Sequence, residues 1–197
     1  MNKILTGAAV AAVSLSTAFA AAPDAIVIYY SRTGENYAVG NIKVGNTAKV
    51  AQEIARVTGA PLYEIKDKVP YPAAYDACVA QAKKEVQSKA RPAFAGNPPD
   101  LSKVTTIYLG YPNWWGDCPM VVYTLLEALN LEGKTVYLFC THEGSGLGST
   151  ARKLAAALPK AKVEPKGLAL YGHVAQNDPA AVRKAVADWL KSLGRTR

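Results

Sequence analysis

Cysteine is scarce in this sequence. The three residues Cys78, Cys118 and Cys140 include no C-x-x-C spacing, which removes the usual basis for a zinc site or a dithiol redox motif. In an oxidising compartment two of them could pair and leave one over. Histidine is scarcer still, with only His142 and His173. Two histidines support neither a His-rich metal site nor a Ser-His-Asp arrangement, and Gly144-Ser145-Gly146 is not the Gly-x-Ser-x-Gly elbow of a hydrolase. Neither glycine-rich nucleotide motif, Gly-x-x-x-x-Gly-Lys-Ser/Thr or Gly-x-Gly-x-x-Gly, occurs, which argues against a nucleoside triphosphate and against a dinucleotide gripped at a first turn. Beyond the first twenty residues there is no apolar run long enough to span a bilayer. The net charge of +8 comes from Lys and Arg scattered through the chain in runs no longer than two. That pattern reads as a solvated surface rather than a nucleic-acid footprint, with an acidic redox partner as a further option.

The first residues read as a secretory leader. Met1-Asn2-Lys3 is a short positive start, Ile4 to Val13 is apolar or small, and Ala18-Phe19-Ala20 is an A-x-A cleavage pattern. Residues 1–20 are therefore expected to be a signal peptide and 21–197 one domain, periplasmic or secreted, with no stable membrane anchor. Half of the chain is apolar and 19% is charged, enough for a substantial core.

After the leader, strand-like runs alternate with helical spacing. Ala25–Tyr30, Pro61–Ile65, Val104–Gly110, Thr135–Cys140 and Gly167–Tyr171 read as strands. Helical patterns follow at Ala48–Val57, Ala73–Ala90, Pro119–Asn130, Ser149–Leu158 and from Asp178-Pro179 to Leu193, with Ser149 and Asp178 as candidate caps. Thr58-Gly59-Ala60 reads as a helix end and turn. Strict βα alternation predicts an α/β fold, a parallel sheet with helices on both faces and ligands beyond the carboxyl ends of its strands.

Three loops then matter. The first, Ser31 to Thr47, puts Ser31, Thr33, Asn46 and Thr47 before a helix N-terminus, where free N–H groups and the helix dipole suit a monophosphate. Arg32 either assists or is a surface charge. The second, Tyr111 to Met120, holds Trp114 and Trp115 between Pro112 and Gly116. Two adjacent indoles on an extended loop cannot both enter the core, so at least one is expected beside a pocket, suited to stacking on a planar ring. The third, Thr141 to Gly148, has three glycines in five residues and can bring backbone N–H groups against the polar edge of a heterocycle. Cys118 lies in the second loop and is the thiol to watch, whereas Cys140 ends an apolar run and reads as a buried small hydrophobe.

Tyr30-Ser31-Arg32-Thr33-Gly34 with Gly45-Asn46-Thr47, Gly110 to Gly116, and Phe139 to Gly146 resemble the flavodoxin family, nearest its exported bacterial branch. The resemblance spans Ala25 to Leu193. It implies a flavodoxin-like, doubly wound, five-stranded parallel sheet of order 2-1-3-4-5 and non-covalent FMN. By position it implies phosphate binding by Ser31, Arg32, Thr33, Gly34, Asn46 and Thr47, a ring flanked by Pro112, Asn113, Trp114, Trp115 and Gly116, and a second wall from Thr141, His142, Glu143, Gly144, Ser145 and Gly146. The family's phosphate loop usually runs without a break, whereas here residues 35–44 intervene, so either Gly34 or Gly45 fills the glycine role. The chain is also basic where electron-shuttle flavodoxins are acidic.

The expected function is an FMN-binding redox protein of the cell envelope, serving as an electron carrier to a redox partner protein or small-molecule acceptor. The alternatives are an FMN-dependent, quinone-type reductase and a flavin-free binding domain on the same fold. Protonated His142 is expected to steady a reduced, anionic flavin.

Overall fold

The computed structural model describes residues 24–195; the leader reading and the Ala20 cleavage point lie outside them. The chain opens with β1 (Ala25–Tyr30), wholly buried. The hairpin β2 (Gly34–Asn36) and β3 (Gly40–Ile42) comes next, followed by α1 (Asn46–Thr58) and β4 (Leu62–Ile65). Then come α2 (Tyr75–Ser88), β5 (Thr106–Pro112), α3 (Met120–Glu127), β6 (Thr135–His142) and α4 (Thr150–Ala157). The chain closes with β7 (Lys162–Val163), β8 (Leu168–Tyr171), α5 (Gly172–Asn177) and α6 (Pro179–Ser192).

The main sheet runs β4-β1-β5-β6, with β7 and β8 both pairing β6 on its far side, and every pairing is parallel. This is the expected 2-1-3-4-5 order. The fifth position is split into two short strands, of which sequence reading anticipated only β8. Alternation along the strands explains why both faces are covered. Ile26, Ile28 and Tyr30 of β1, with Ile107, Leu109 and Tyr111 of β5, face the core built with α3 and Leu154 of α4. Ala25, Val27 and Tyr29 face the other core, with Val50 and Ile54 of α1 and Val182, Val186 and Trp189 of α6.

The ends of the elements follow local chemistry. Gly59 closes α1 in the left-handed conformation, and Asp178 accepts the Ala181 N–H at the start of α6, with Pro179 in its first turn. Ser149 stands at the N-cap position of α4 but makes no side-chain cap bond; its hydroxyl donates instead to the Gly116 carbonyl at 2.9 Å. The three thiols are free and buried, so no pair forms. Among the described residues no helix is long and apolar enough to cross a membrane.

Candidate functional site

The first loop is not an open turn. Residues 34–42 form the β2–β3 hairpin, and two side chains fasten it to the start of α2. The Arg32 guanidinium donates to the carbonyls of Glu35, Pro72 (2.9 Å) and Ala73 (2.8 Å). The Glu35 carboxylate accepts the Tyr75 N–H at 2.8 Å, a favourable place for a negative charge at a helix N-terminus. Arg32 is therefore a clip between loop and helix. Thr33 is exposed at the foot of the hairpin.

Gly45 takes the glycine role. A Cβ there would overlap Ser31 Oγ and lie 2.5 Å from the Arg32 carbonyl oxygen, whereas one at Gly34 would meet nothing within 4 Å. Gly45 also serves as N-cap of α1 with no side chain to offer. Ser31 Oγ accepts the Ala48 N–H at 3.0 Å, and the Gly45 carbonyl accepts that of Lys49. The N–H groups of Asn46 and Thr47 meet no acceptor among the described residues. Asn46 Oδ1 is buried without a partner. Thr47 is itself buried, its hydroxyl 2.7 Å from that of Thr141.

In the second loop, residues 114–117 close on themselves. The N–H of Trp114 donates to the Asp117 carbonyl, and that of Asp117 to the Trp114 carbonyl. Trp115 and Gly116, at its centre, have φ of 57° and 75°, the positive pair that a tight primed turn requires. The turn sends the two indoles apart. Trp114 packs edge-on against Tyr30 and Tyr71, with centroids 5.6 and 5.0 Å away. Trp115 is 50% exposed and donates its indole N–H to the Val79 carbonyl of α2. Cys118 departs from expectation: it is fully buried, and burial together with neighbouring Asp117 holds its thiol well above the usual range. Burial also pushes Cys140 up to about 12.

The third loop is tied to the second by Asn113, which donates to the Gly146 carbonyl at 2.9 Å and accepts the Gly116 N–H at 3.0 Å. His142 is held by its own loop. Its Nδ1 accepts the Gly144 N–H at 2.9 Å, and burial lowers its pKa despite the nearby Glu143 carboxylate. Both the lowered pKa and the accepting Nδ1 favour the ring form with its proton on Nε2.

These loops meet in a cleft of about 300 Å³, lined by Asn46 from loop one, Pro112, Asn113 and Trp114 from loop two, and Thr141, His142, Glu143 and Ser145 from loop three. Ser31, Arg32, Thr33, Gly34, Thr47, Trp115, Gly116, Gly144 and Gly146 are not in that lining. Four residues are lining that sequence reasoning missed: Asn36, Tyr37, Tyr75 and Gly172. Tyr37 and Tyr75 stack at 6.0 Å and 29°, so the inserted hairpin builds one wall of the cleft. Its one visible signal is an aromatic residue inside a short run flanked by Gly34 and Gly40. Gly172 closes the opposite side: a Cβ there would lie 2.5 Å from Asn46 Nδ2 and 2.9 Å from Glu143 Oε1. Beside it, Glu143 accepts the backbone N–H of His173 at 2.8 Å and pairs with its ring Nδ1 at 2.7 Å.

A family model described as flavodoxin matches residues 37–192. The chain belongs to the flavodoxin family. Among solved structures, a candidate flavoprotein from Bacteroides eggerthii shares 27% identity and superposes with a TM-score of 0.68, over 87% of this chain and 98% of that one. The flavoprotein of Lactobacillus acidophilus, in complex with FMN, shares 21% identity with a TM-score of 0.60, over 79% and 97%. Oxidised Flavodoxin 2 from Bacillus cereus shares 18% with a TM-score of 0.50, over 86% and 97%. The latter two bear on the fold. No curated protein matches this flavodoxin-family chain.

Proposed function

We propose that the protein binds FMN without a covalent link in the cleft at the carboxyl ends of β1, β5 and β6, and works as a redox protein of the cell envelope. The observation that carries this reading is the start of α1. The backbone N–H groups of Asn46 and Thr47 have no acceptor among the described residues, and Asn46 lines a cleft with an aromatic and amide wall. A phosphate monoester suits that helix start. The unpartnered Asn46 Oδ1 suits a ribityl hydroxyl, which can donate where a phosphate cannot. The donor set therefore fits the group. That a fold neighbour is an FMN complex supports the same reading.

FMN, when bound, supplies one- and two-electron redox chemistry. The protein's share is placement. Pro112, Asn113 and Trp114 form one wall and Thr141, His142 and Ser145 the other, while the stacked Tyr37 and Tyr75 limit water at the mouth. Neutral His142 offers an Nε2–H donor rather than a positive charge. The location rests on the leader pattern in residues 1–20, and the carrier role on the scattered positive surface, which suits an acidic partner.

The test is titration of the FMN-free domain with FMN and with riboflavin, which lacks the phosphate, followed by tryptophan fluorescence. Saturable binding of FMN at least about tenfold tighter than riboflavin is expected, one charge-assisted hydrogen-bond pair being worth about 1.5–3 kcal/mol. No saturable binding of either sinks the cofactor, and equal binding sinks the phosphate site at α1.

A further inference from the structure

Beside the flavin cleft lies a second cavity of about 250 Å³. The two share Asn36, Tyr75, Asn113 and Trp114 as a common wall. The second is closed by Trp115 and floored by Cys78, Val79 and Ala82 of α2. We infer that this cavity seats a planar conjugated ring bearing carbonyl oxygens, a quinone-class electron acceptor, next to the cofactor; the inference rests on the FMN reading above and names its acceptor.

The walls set the shape. Two indoles and a phenol ring enclose an aliphatic floor, which favours a flat apolar body. Trp115 holds a left-handed backbone conformation that non-glycine residues rarely adopt. Its indole N–H on the Val79 carbonyl at 3.2 Å and the Lys83 ammonium 5.1 Å from the ring centroid fix it as a side of the cavity rather than a loose surface ring.

The polar groups set the chemistry. Asn36 spends its amide N–H groups on the carbonyls of Arg32 and Gly34, and Asn113 is spent between Gly116 and Gly146. Arg32 uses three of its five N–H groups on backbone carbonyls. A fourth contact goes to the Cys78 thiol on the cavity floor, which leaves one N–H over. Burial raises the Cys78 thiol and the Arg32 guanidinium opposes it, which places the cation against that floor residue. A cation with one donor left over and no ion-pair partner among the described residues suits an acceptor oxygen on the ligand. Reducing such a ring to its hydroquinone would take two electrons, which bound and reduced FMN would supply, and two protons from solvent, one onto each carbonyl oxygen; reoxidation of the cofactor would release to solvent whatever protons its reduced form carried. Negative charge passing through those oxygens is what Arg32 would stabilise.

The experiment adds 1,4-naphthoquinone to the FMN-free protein and follows the indole N–H resonance of Trp115, with carbonyl-free naphthalene as the comparison. A saturable shift is expected, at least tenfold tighter for the quinone. It should vanish in Val79→Trp, which plugs the cavity from a half-buried helix position outside the flavin cleft, while FMN titration of that variant stays native. Ala82→Leu, a smaller plug, gives the same reading if the first variant does not fold. No shift, equal binding of the two compounds, persistence in the plugged variants, or displacement of the quinone by FMN overturns the inference. If native protein binds FMN but the quinone leaves Trp115 unmoved, only this inference falls. If native protein does not bind FMN, the cofactor reading falls whatever the quinone does.

Discussion

The hydroxyls of Thr47 and Thr141 lie 2.7 Å apart, buried, across 94 positions of sequence. One opens α1 and the other ends on β6, so a single hydrogen bond joins the first loop to the third beneath the cleft. Replacing either residue by valine keeps the shape and strands the other hydroxyl, at about 1–3 kcal/mol. Replacing both removes the orphan and should cost less than the sum of the two singles. Urea unfolding of the three variants checks this; strict additivity would show that the two hydroxyls are not coupled.

Gly45 and Gly34 separate in the same kind of experiment. Alanine at 45 would drive a methyl into Ser31 Oγ and the Arg32 carbonyl, which shifts the start of α1. FMN affinity should fall at least about tenfold, near 1.4 kcal/mol. Alanine at 34 meets open space but must hold φ near 80°, so about 1 kcal/mol of stability is lost with FMN affinity retained. The reverse pattern would return the glycine role to Gly34.

Asp67 introduces a pH dependence of stability. Burial, aided by Glu85 and opposed by the Tyr30 hydroxyl donating at 2.8 Å, raises its carboxyl from 3.8 to about 6. A folded state that holds the proton more tightly gains stability that is whole below about pH 4 and lost as pH rises through 6. The site is only half-buried, so the effect after solvent screening is about 1 kcal/mol. Native protein should lose that much between about pH 4 and pH 7 relative to Asp67→Asn, which cannot titrate. Parallel stability curves for the two would remove Asp67 as the source.

How far the sequence could be read divides along physical lines. The sheet was legible because β1, β5 and β6 are buried on both faces and must therefore be continuous apolar runs. The loops at their carboxyl ends followed from topology. The hairpin of residues 34–42 was not legible, because its strands are short and polar and are held by Arg32 and Glu35 reaching to Pro72, Ala73 and Tyr75, contacts about forty positions away that no local pattern encodes. Tyr37 and Tyr75 escaped notice for the same reason. Gly172 is readable only once Asn46 and Glu143 are seen to crowd it. The partner of the His142 ring nitrogen, here the Gly144 N–H, was not legible because it depends on loop geometry.

The state of that ring can be measured. With Nδ1 accepting from Gly144 and burial lowering its pKa, His142 should give the ring 15N pattern of a neutral Nε2–H tautomer at pH 7. A His whose folded pKa is depressed contributes stability that is present above the unfolded value near 6.5 and lost as pH falls through the folded one. In FMN-loaded protein, His142→Asn should then leave the slope of midpoint potential against pH unchanged between about pH 7 and 8. A slope that changes, with an imidazolium 15N pattern at pH 7, restores the positive charge to the site.

Asp117 shows what holds the second loop. Its carboxylate is 3% exposed and accepts the Cys118 N–H at 2.8 Å, the Tyr123 hydroxyl at 3.2 Å and the Lys153 ammonium at 2.8 Å. Losing it strands a buried phenol and a lysine together. Cutting a fully buried pair costs about 3–5 kcal/mol, and the lysine's partial exposure brings Asp117→Ala to the lower end, about 3. Asp117→Asn keeps an acceptor for the backbone and for Tyr123, so about 1 kcal/mol is expected. Because the Asp117 carboxylate ties the end of the turn that carries Trp114 to Tyr123 and Lys153, the alanine variant should lose FMN affinity along with stability and the asparagine variant should largely keep it. If the alanine variant binds FMN as tightly as the native chain, the turn holds its shape without its anchor and Trp114 is positioned by Tyr30 and Tyr71 alone.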